Sequence, residues 1–62
     1  MDKKDIGSKL KSLRKSKGMT QEQVAIKVGI TRSTISNYEI GRRTPHLTEL
    51  QQLAGVFGVG LE

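Results

Sequence analysis

Residues 20–39 read TQEQVAIKVGITRSTISNYE and hold two short helical patterns on either side of Gly29. Thr20 is a favourable N-cap residue, and Gln23, three positions later, completes a capping box. Thr31 gives a second N-cap signal two residues after Gly29, and glycine suits the left-handed conformation that commonly ends a helix. The sequence therefore predicts two helices, joined so tightly that they must cross at a steep angle.

Helical spacing assigns each helix of this pair an inward face. The inward residues of the two helices are Val24, Ala25, Val28, Ile35 and Tyr38. Glu39 lies beside Tyr38, whereas Ser33, Ser36 and Asn37 point the other way. The second helix is thus predicted to present small polar side chains on its outward face.

A helix that precedes the pair is predicted by Ile6, Leu10 and Leu13, which recur at spacings of four and three residues. The lysines between these positions leave the rest of the helix surface to solvent. The pattern runs from Ile6 to Lys17 and is ended by Gly18. One apolar stripe of this helix should therefore face the core.

A fourth helix is predicted after the basic loop of residues 42–45, and Gly58 ends it. Its apolar residues recur at helical spacing and are Leu47, Leu50, Leu53, Ala54 and Phe57. Val59 and Leu61 resemble the approach to a fifth helix that is cut short. The predicted fold is all-α, a compact domain of four to five helices that forms one domain over residues 1–62.

The length and composition of the chain exclude several classes of function. Sixty-two residues make one domain near the lower size limit for an independent core, which leaves little room for a large enzyme cleft. The absence of cysteine excludes disulfides and thiolate metal sites, and one histidine cannot form a zinc site alone. We therefore expect no metal and no cofactor.

The charge of the chain is strongly positive, with eleven Lys and Arg against six Asp and Glu and a formal net charge of +5. Such a balance favours a polyanionic partner, and the alternative is a basic surface without a specific partner. No apolar run is long enough to cross a membrane, and the N-terminus lacks the apolar stretch of a signal peptide. We expect an intracellular, cytoplasmic protein with no membrane partner and no small-molecule substrate.

A series of short motifs in the correct order resembles the Xre-type helix-turn-helix family, which includes the lambdoid phage repressors and their Cro proteins. The motifs are Met19-Thr20-Gln21, Val24-Ala25, Gly29-Ile30-Thr31, Ser33-Thr34-Ile35-Ser36, Tyr38-Glu39, Gly41-Arg42 and Pro45. The resemblance covers the chain from about Ile6 to Leu61. It implies a five-helix DNA-binding domain, with residues 20–40 as the helix-turn-helix, that is usually dimeric and represses or activates transcription at palindromic operators.

The resemblance implies that the helix after Gly29 reads bases through Arg32, Ser33 and Asn37, with Thr31 and Ser36 flanking them. Arginine can make paired hydrogen bonds to guanine, asparagine can do the same at adenine, and serine accepts several partners. The alternative for Arg32 is a solvated or phosphate-bound side chain. The alternative for the small polar residues is an ordinary exposed helix face.

Phosphate contacts are implied for Gln21, Arg42, Arg43 and Arg14. Gln21 lies in the first turn of a helix, where unpaired N–H groups and the helix dipole suit a phosphate. Arg42 and Arg43 are adjacent in a short loop and belong to no helix face, which favours contact with the sugar-phosphate backbone of DNA. In the family an arginine of the first helix and the glutamate ending the third form a partly buried ion pair, which implies that Arg14 pairs with Glu39 and is oriented toward a phosphate.

Two positions depart from the pattern of the family. Ile40 occupies a position at which many relatives have a polar or basic residue, so one phosphate contact is either missing or replaced by an apolar contact to a sugar or thymine methyl. His46 occupies the position that caps the fourth helix. A lone histidine there is interpreted as a surface or capping residue rather than a catalytic one.

The leading functional hypothesis is sequence-specific binding of double-stranded DNA by a transcriptional regulator of repressor type. The alternative is an antitoxin-type or protein-interaction module, whose docking face would favour aromatic or aliphatic anchors rather than small polar side chains. An enzyme is a distant third hypothesis, because no paired carboxylates, activated nucleophile or metal cluster can be assembled.

A homodimer on DNA is implied by the resemblance, because one recognition helix covers few base pairs and symmetric half-sites multiply the affinity. In the family the fifth helix and its surroundings usually supply the dimer contact. Val56, Phe57, Val59 and Leu61 are therefore candidates for an interface or for the core. The chain stops where that helix would begin. We therefore expect a domain that is truncated from a longer regulator.

Overall fold

A computed structural model describes residues 3–59 as four helices. They are α1 (Lys3–Ser16), α2 (Gln21–Val28), α3 (Arg32–Glu39) and α4 (Leu47–Phe57). No strand occurs in this part of the chain. The prediction of an all-α fold with a helix-turn-helix is confirmed, with α2 and α3 as the predicted pair. Leu61, on which the predicted fifth helix depends, lies outside the described residues.

Local hydrogen bonds fix the boundaries of the helix-turn-helix. The Thr20 hydroxyl accepts from the Gln23 amide at 3.1 Å, and the Gln23 side chain accepts from the Thr20 amide at 2.8 Å, so the predicted capping box is present. Gly29 ends α2 with a φ of 74°. The Thr31 hydroxyl then caps α3 by accepting from the Thr34 amide at 3.2 Å. The two helices are therefore separated by only three residues.

The first helix begins three residues earlier than its apolar pattern indicated, at Lys3 rather than Ile6. The residues of its first turn are polar, so they contribute no apolar periodicity. Lysine is nevertheless a good helix former, and Asp5 in the first turn interacts favourably with the helix dipole. The apolar periodicity marks only the part of α1 that packs against the core, whereas the helix itself begins earlier, in polar residues without this periodicity.

The core lies where α2, α3 and α4 meet. Its buried residues are Val24, Ala25, Ile35, Tyr38, Leu53, Ala54 and Phe57. Leu10 and Leu13 of α1 are half-buried and pack against this cluster from one side. Leu47 differs from its place in the apolar pattern, because it is the first residue of α4 and is 66% exposed.

Close packing between α1 and α3 depends on Gly7, which the sequence pattern does not single out. A Cβ atom placed on Gly7 would lie 2.3 Å from the carbonyl oxygen of Tyr38 and 2.5 Å from that of Glu39. The crossing of α1 over the last turn of α3 therefore leaves no room for any side chain. Arg14 follows seven residues later, two helical turns along the same face.

Candidate nucleic-acid interface

Arg14 and Glu39, the pair implied by the resemblance, lie in contact between α1 and α3. The Arg14 Nε donates to Glu39 Oε2 at 2.6 Å, and its Nη2 donates to Oε1 at 3.1 Å. Both side chains are buried, at 10% and 4% exposed respectively. The hydrogen bond to Glu39 raises the pKa of Arg14, against the opposing effect of burial. The two-pronged geometry is what allows these charges to be buried together.

The same guanidinium also fixes the segment between α1 and α2. Its Nη1 donates to the carbonyl oxygen of Met19 at 2.8 Å. Met19 directly precedes the N-cap residue of α2, so Arg14 holds the start of the helix-turn-helix against α1. Sequence patterns do not predict this contact, since any residue could supply the backbone carbonyl.

Gln21 is bonded into the ion pair rather than freely exposed. Its Nε2 donates to Glu39 Oε1 at 3.1 Å, and the residue is half-buried. Glu39 thus accepts hydrogen bonds from residues of both α1 and α2, at sequence separations of 25 and 18. This network orients the Gln21 side chain at the N-terminus of α2, the position for which a phosphate contact was predicted.

Two adjoining hollows form one concave surface at the N-terminal ends of α2 and α3. The first is lined by Arg14, Gly18, Met19, Thr20, Gln21, Glu22 and Arg32. The second is lined by Gln21, Arg32, Ser33 and Ser36. Because Gln21 and Arg32 belong to both, the surface is continuous, and we name it the α2–α3 face. It brings together two predicted phosphate contacts and three predicted base contacts.

The remaining predicted residues lie at the two ends of α3. Thr31 is the exposed N-cap residue, and its hydroxyl lies 2.9 Å from that of Thr34. At the other end, the carbonyl oxygen of Asn37 accepts from the amides of Arg42 and Arg43 at 2.9 and 3.2 Å. The eight residues of α3 span about 12 Å, so both arginines are well separated from Arg32.

A second hydrogen-bonded group, which sequence reasoning missed, connects α3 to α4. The Tyr38 hydroxyl donates to Glu49 Oε2 at 2.7 Å, and the amide of His46 donates to Glu49 Oε1 at 3.0 Å. Tyr38 was predicted as a core residue only, and His46 as the capping position. The structure makes Glu49 the residue that caps α4 through its side chain.

The environment of Tyr38 gives it an unusual pKa. Burial raises the pKa of Tyr38 to about 12, and the hydrogen bond to the Glu49 carboxylate acts in the same direction. The same hydrogen bond is the largest of the effects that lower the pKa of Glu49. Glu49 is therefore ionised at neutral pH, and the Tyr38 hydroxyl keeps its proton.

This pKa can be measured directly, because Tyr38 is the chain's one tyrosine and there is no tryptophan. We expect the tyrosinate absorbance of the folded chain to titrate clearly above pH 10, toward the folded pKa of about 12. Since the pKa is raised in the folded state, its stabilisation is complete below the unfolded value near 10 and is lost as the pH rises toward 12. The denatured chain is the control, and a folded chain that titrates like it would contradict the prediction.

Comparison with known proteins places this arrangement in a family. The family model described as helix-turn-helix matches residues 10–62. The chain belongs to the helix-turn-helix family. The Xre-type resemblance found in the sequence is thereby confirmed. The family consists of DNA-binding transcription regulators and is not an enzyme family.

Curated relatives include regulators of phage origin. The chain is 41% identical over 57 residues to the SPbeta prophage-derived uncharacterized HTH-type transcriptional regulator YonR of Bacillus subtilis, a match that covers 92% of the chain and 53% of YonR. It is 35% identical over 54 residues to the immunity repressor protein of Bacillus phage phi105, and this match covers 87% of the chain and 38% of the repressor. The chain therefore spans about half, or less, of the length of these two relatives.

A solved structure shows the same fold. The restriction-modification controller protein C.AhdI from Aeromonas hydrophila superposes with a TM-score of 0.91 at 32% identity, over 95% of this chain and 86% of that protein. No helix within residues 3–59 is long and apolar enough to cross a membrane, and no group of side chains there could hold a metal ion.

Proposed function

We propose that the chain is the sequence-specific, double-stranded DNA-binding domain of a transcriptional repressor, with α3 entering the major groove of a palindromic operator. The observation that carries the proposal is the α2–α3 face. It places Arg32, Ser33 and Ser36 on one continuous surface with Gln21 and Arg14. A helix-turn-helix binds DNA in this way, with base contacts from the start of the second helix and backbone contacts around it.

Base recognition is assigned to the exposed side of α3. Arg32 and Ser33 are exposed in its first turn, and Ser36 and Asn37 are half-buried one turn later. Arginine matches the O6 and N7 acceptors of guanine, and asparagine matches the N6 and N7 positions of adenine. Arg32 and Asn37 are therefore the two side chains that we expect to set the sequence preference, with Thr31 at the helix start beside them.

Backbone contacts are assigned to both sides of α3. Gln21 lies at the N-terminus of α2 and is held by Glu39, so less side-chain freedom is lost when it binds a phosphate. Arg14 lines the same surface and is held by the same carboxylate, so its guanidinium is oriented for a phosphate at this site. Arg42 and Arg43 are exposed in the loop after α3 and supply contacts to the neighbouring stretch of backbone.

Repression and dimer formation are supported by different arguments. The phi105 relative is an immunity repressor, and the relative YonR is an HTH-type transcriptional regulator. A helix of eight residues reaches only a few base pairs, so a second copy on a symmetric half-site is needed for high affinity. We therefore propose a homodimer on DNA, with α3 of each copy in successive major grooves.

In vitro selection of bound duplexes tests specificity and symmetry together. We expect an enriched motif with two inverted half-sites whose centres are about 34 Å apart, which is one turn of DNA. Equal affinity for every duplex would overturn sequence-specific binding and favour the protein-interaction alternative. A single half-site without an inverted copy would overturn the palindromic operator and the homodimer.

Two alanine variants should separate base contacts from phosphate contacts. We expect Asn37→Ala to relax the preference at one base position and to cost about 1–3 kcal/mol at the preferred site, since the backbone carbonyl that holds the following loop is retained. Arg43→Ala should instead weaken all duplexes alike and reduce the salt dependence by about one contacted phosphate. Competition binding at several salt concentrations distinguishes the two patterns, and an exchange of the two patterns would contradict the assignment.

A further inference from the structure

We propose that Tyr38 and Glu49 form a link that holds the loop of residues 40–46 in place and so positions Arg43 for a DNA phosphate. We name this hydrogen-bonded pair the Tyr38–Glu49 link. Glu49 would then be a positioning residue that acts on DNA binding through the loop. The inference rests on the proposed function, because it concerns how a phosphate contact is prepared.

Hydrogen bonds hold the loop at both ends. At its start, the amides of Arg42 and Arg43 donate to the carbonyl oxygen of Asn37, so the chain folds back on the last turn of α3. At its end, the amide of His46 donates to Glu49 Oε1 at 3.0 Å. Arg43 therefore lies between two fixed points, although its own side chain is exposed.

One carboxylate connects the end of the loop to the last turn of α3. Glu49 uses Oε1 for the start of α4 and Oε2 for the hydroxyl of Tyr38, at 2.7 Å. Tyr38 is only 2% exposed, so its ring is fixed in the core and cannot follow a moving loop. Buried Pro45, with its restricted φ angle, further limits the path of the chain between these anchors.

Arg43 interacts electrostatically with the Tyr38–Glu49 link. Its positive charge adds to the lowering of the Glu49 pKa and opposes part of the rise in the Tyr38 pKa, as the smallest effect in each case. The negative charge of Glu49 in turn attracts the guanidinium. A loop whose backbone is restrained before binding loses less conformational entropy when its arginine meets a phosphate.

The direct test is Tyr38→Phe, which removes one hydroxyl and changes no charge. We expect the dissociation constant for a short duplex of mixed sequence to rise about threefold to tenfold, the range that corresponds to one lost hydrogen bond. We also expect a shallower dependence of affinity on salt, because the contact of Arg43 is weakened. Fluorescence anisotropy at several salt concentrations, well below the melting temperature, measures both quantities.

A second variant, Glu49→Gln, tests the direction in which the affinity for DNA changes. Removal of a negative charge near DNA would by itself tighten binding. In glutamine, however, Oε1 can still accept from His46, but the amide nitrogen can only donate to the Tyr38 oxygen, so the charge-assisted hydrogen bond of the link is replaced by a weaker neutral one. We expect weaker binding and a Tyr38 pKa nearer its ordinary value. Tighter binding by Glu49→Gln would overturn the inference.

The matched control is Val28→Ala, a truncation in the last turn of α2 of a half-buried side chain that packs on the core. It should lower stability and leave the affinity unchanged. In an Arg43→Ala background, Tyr38→Phe should have no further effect on affinity, and an undiminished effect would overturn the inference. Unchanged affinity and salt dependence for Tyr38→Phe alone would overturn it while the proposed function stands. Absence of DNA binding by the unaltered chain would overturn both.

Discussion

Gly7→Ala is expected to destabilise the fold by about 3 kcal/mol, at the upper end of the cost of overpacking a well-packed site. Inside a helix, glycine to alanine ordinarily stabilises, by up to about 1 kcal/mol. Here the new Cβ would lie 2.3 and 2.5 Å from the carbonyl oxygens of Tyr38 and Glu39. These are backbone atoms of α3, so relief requires that α1 as a whole move away from α3.

The chain contains a matched control for this substitution. Gly55 lies within α4, and a Cβ placed there meets no atom within 4 Å. Gly55→Ala should therefore raise stability by up to about 1 kcal/mol, the ordinary difference in helix propensity. Thermal unfolding followed by circular dichroism compares the two variants. If both variants melt above the unaltered chain, the close crossing of α1 and α3 is wrong.

The second large effect is expected for Glu39→Gln, which should cost about 3–5 kcal/mol of unfolding free energy. The substitution preserves shape but removes the negative charge that Arg14 requires in its buried position. The guanidinium would keep one hydrogen-bonding oxygen and lose the ion pair. Gln21 would compete for the same oxygen, so the order of the α2–α3 face would also decrease.

Two further variants make this prediction specific to the buried pair. Glu22→Gln removes an exposed acid from the first turn of α2 and should cost no more than about 1 kcal/mol, the value of a helix-dipole interaction. The double variant Arg14→Met with Glu39→Leu should recover much of the stability, because apolar residues often replace a buried ion pair without loss. Chemical denaturation measures all three. Equal stability for Glu39→Gln and Glu22→Gln would contradict the assigned role of the pair.

Local signals predicted most of the helix-turn-helix. Thr20 with Gln23 and Thr31 with Thr34 form caps over three residues, and Gly29 adopts the left-handed conformation that its position suggested. Each of these features is decided by neighbours within one helical turn. The start of α1 was predicted too late because a solvent-exposed turn carries no apolar periodicity.

A smaller part of the candidate site than of the fold could be predicted from the sequence. The type of residue on the outward face of α3 could be deduced from helical spacing and from the family resemblance. The partners of Glu39 and Glu49 within the fold could not be deduced from spacing, because each accepts from a side chain 11 to 25 residues away. Only a tertiary structure brings such positions together, and glutamates elsewhere on the surface have the same local sequence character.

The sequence by itself therefore determined the order of the helices, the glycine turn and the side chains offered to DNA, because caps, glycines and periodicity act locally. Tertiary structure alone decided how those side chains are held. Gly7 allows α1 to approach α3, Glu39 joins Arg14 to Gln21, and Glu49 joins Tyr38 to the loop that carries Arg43. These contacts connect separate helices, and their geometry depends on how the helices cross.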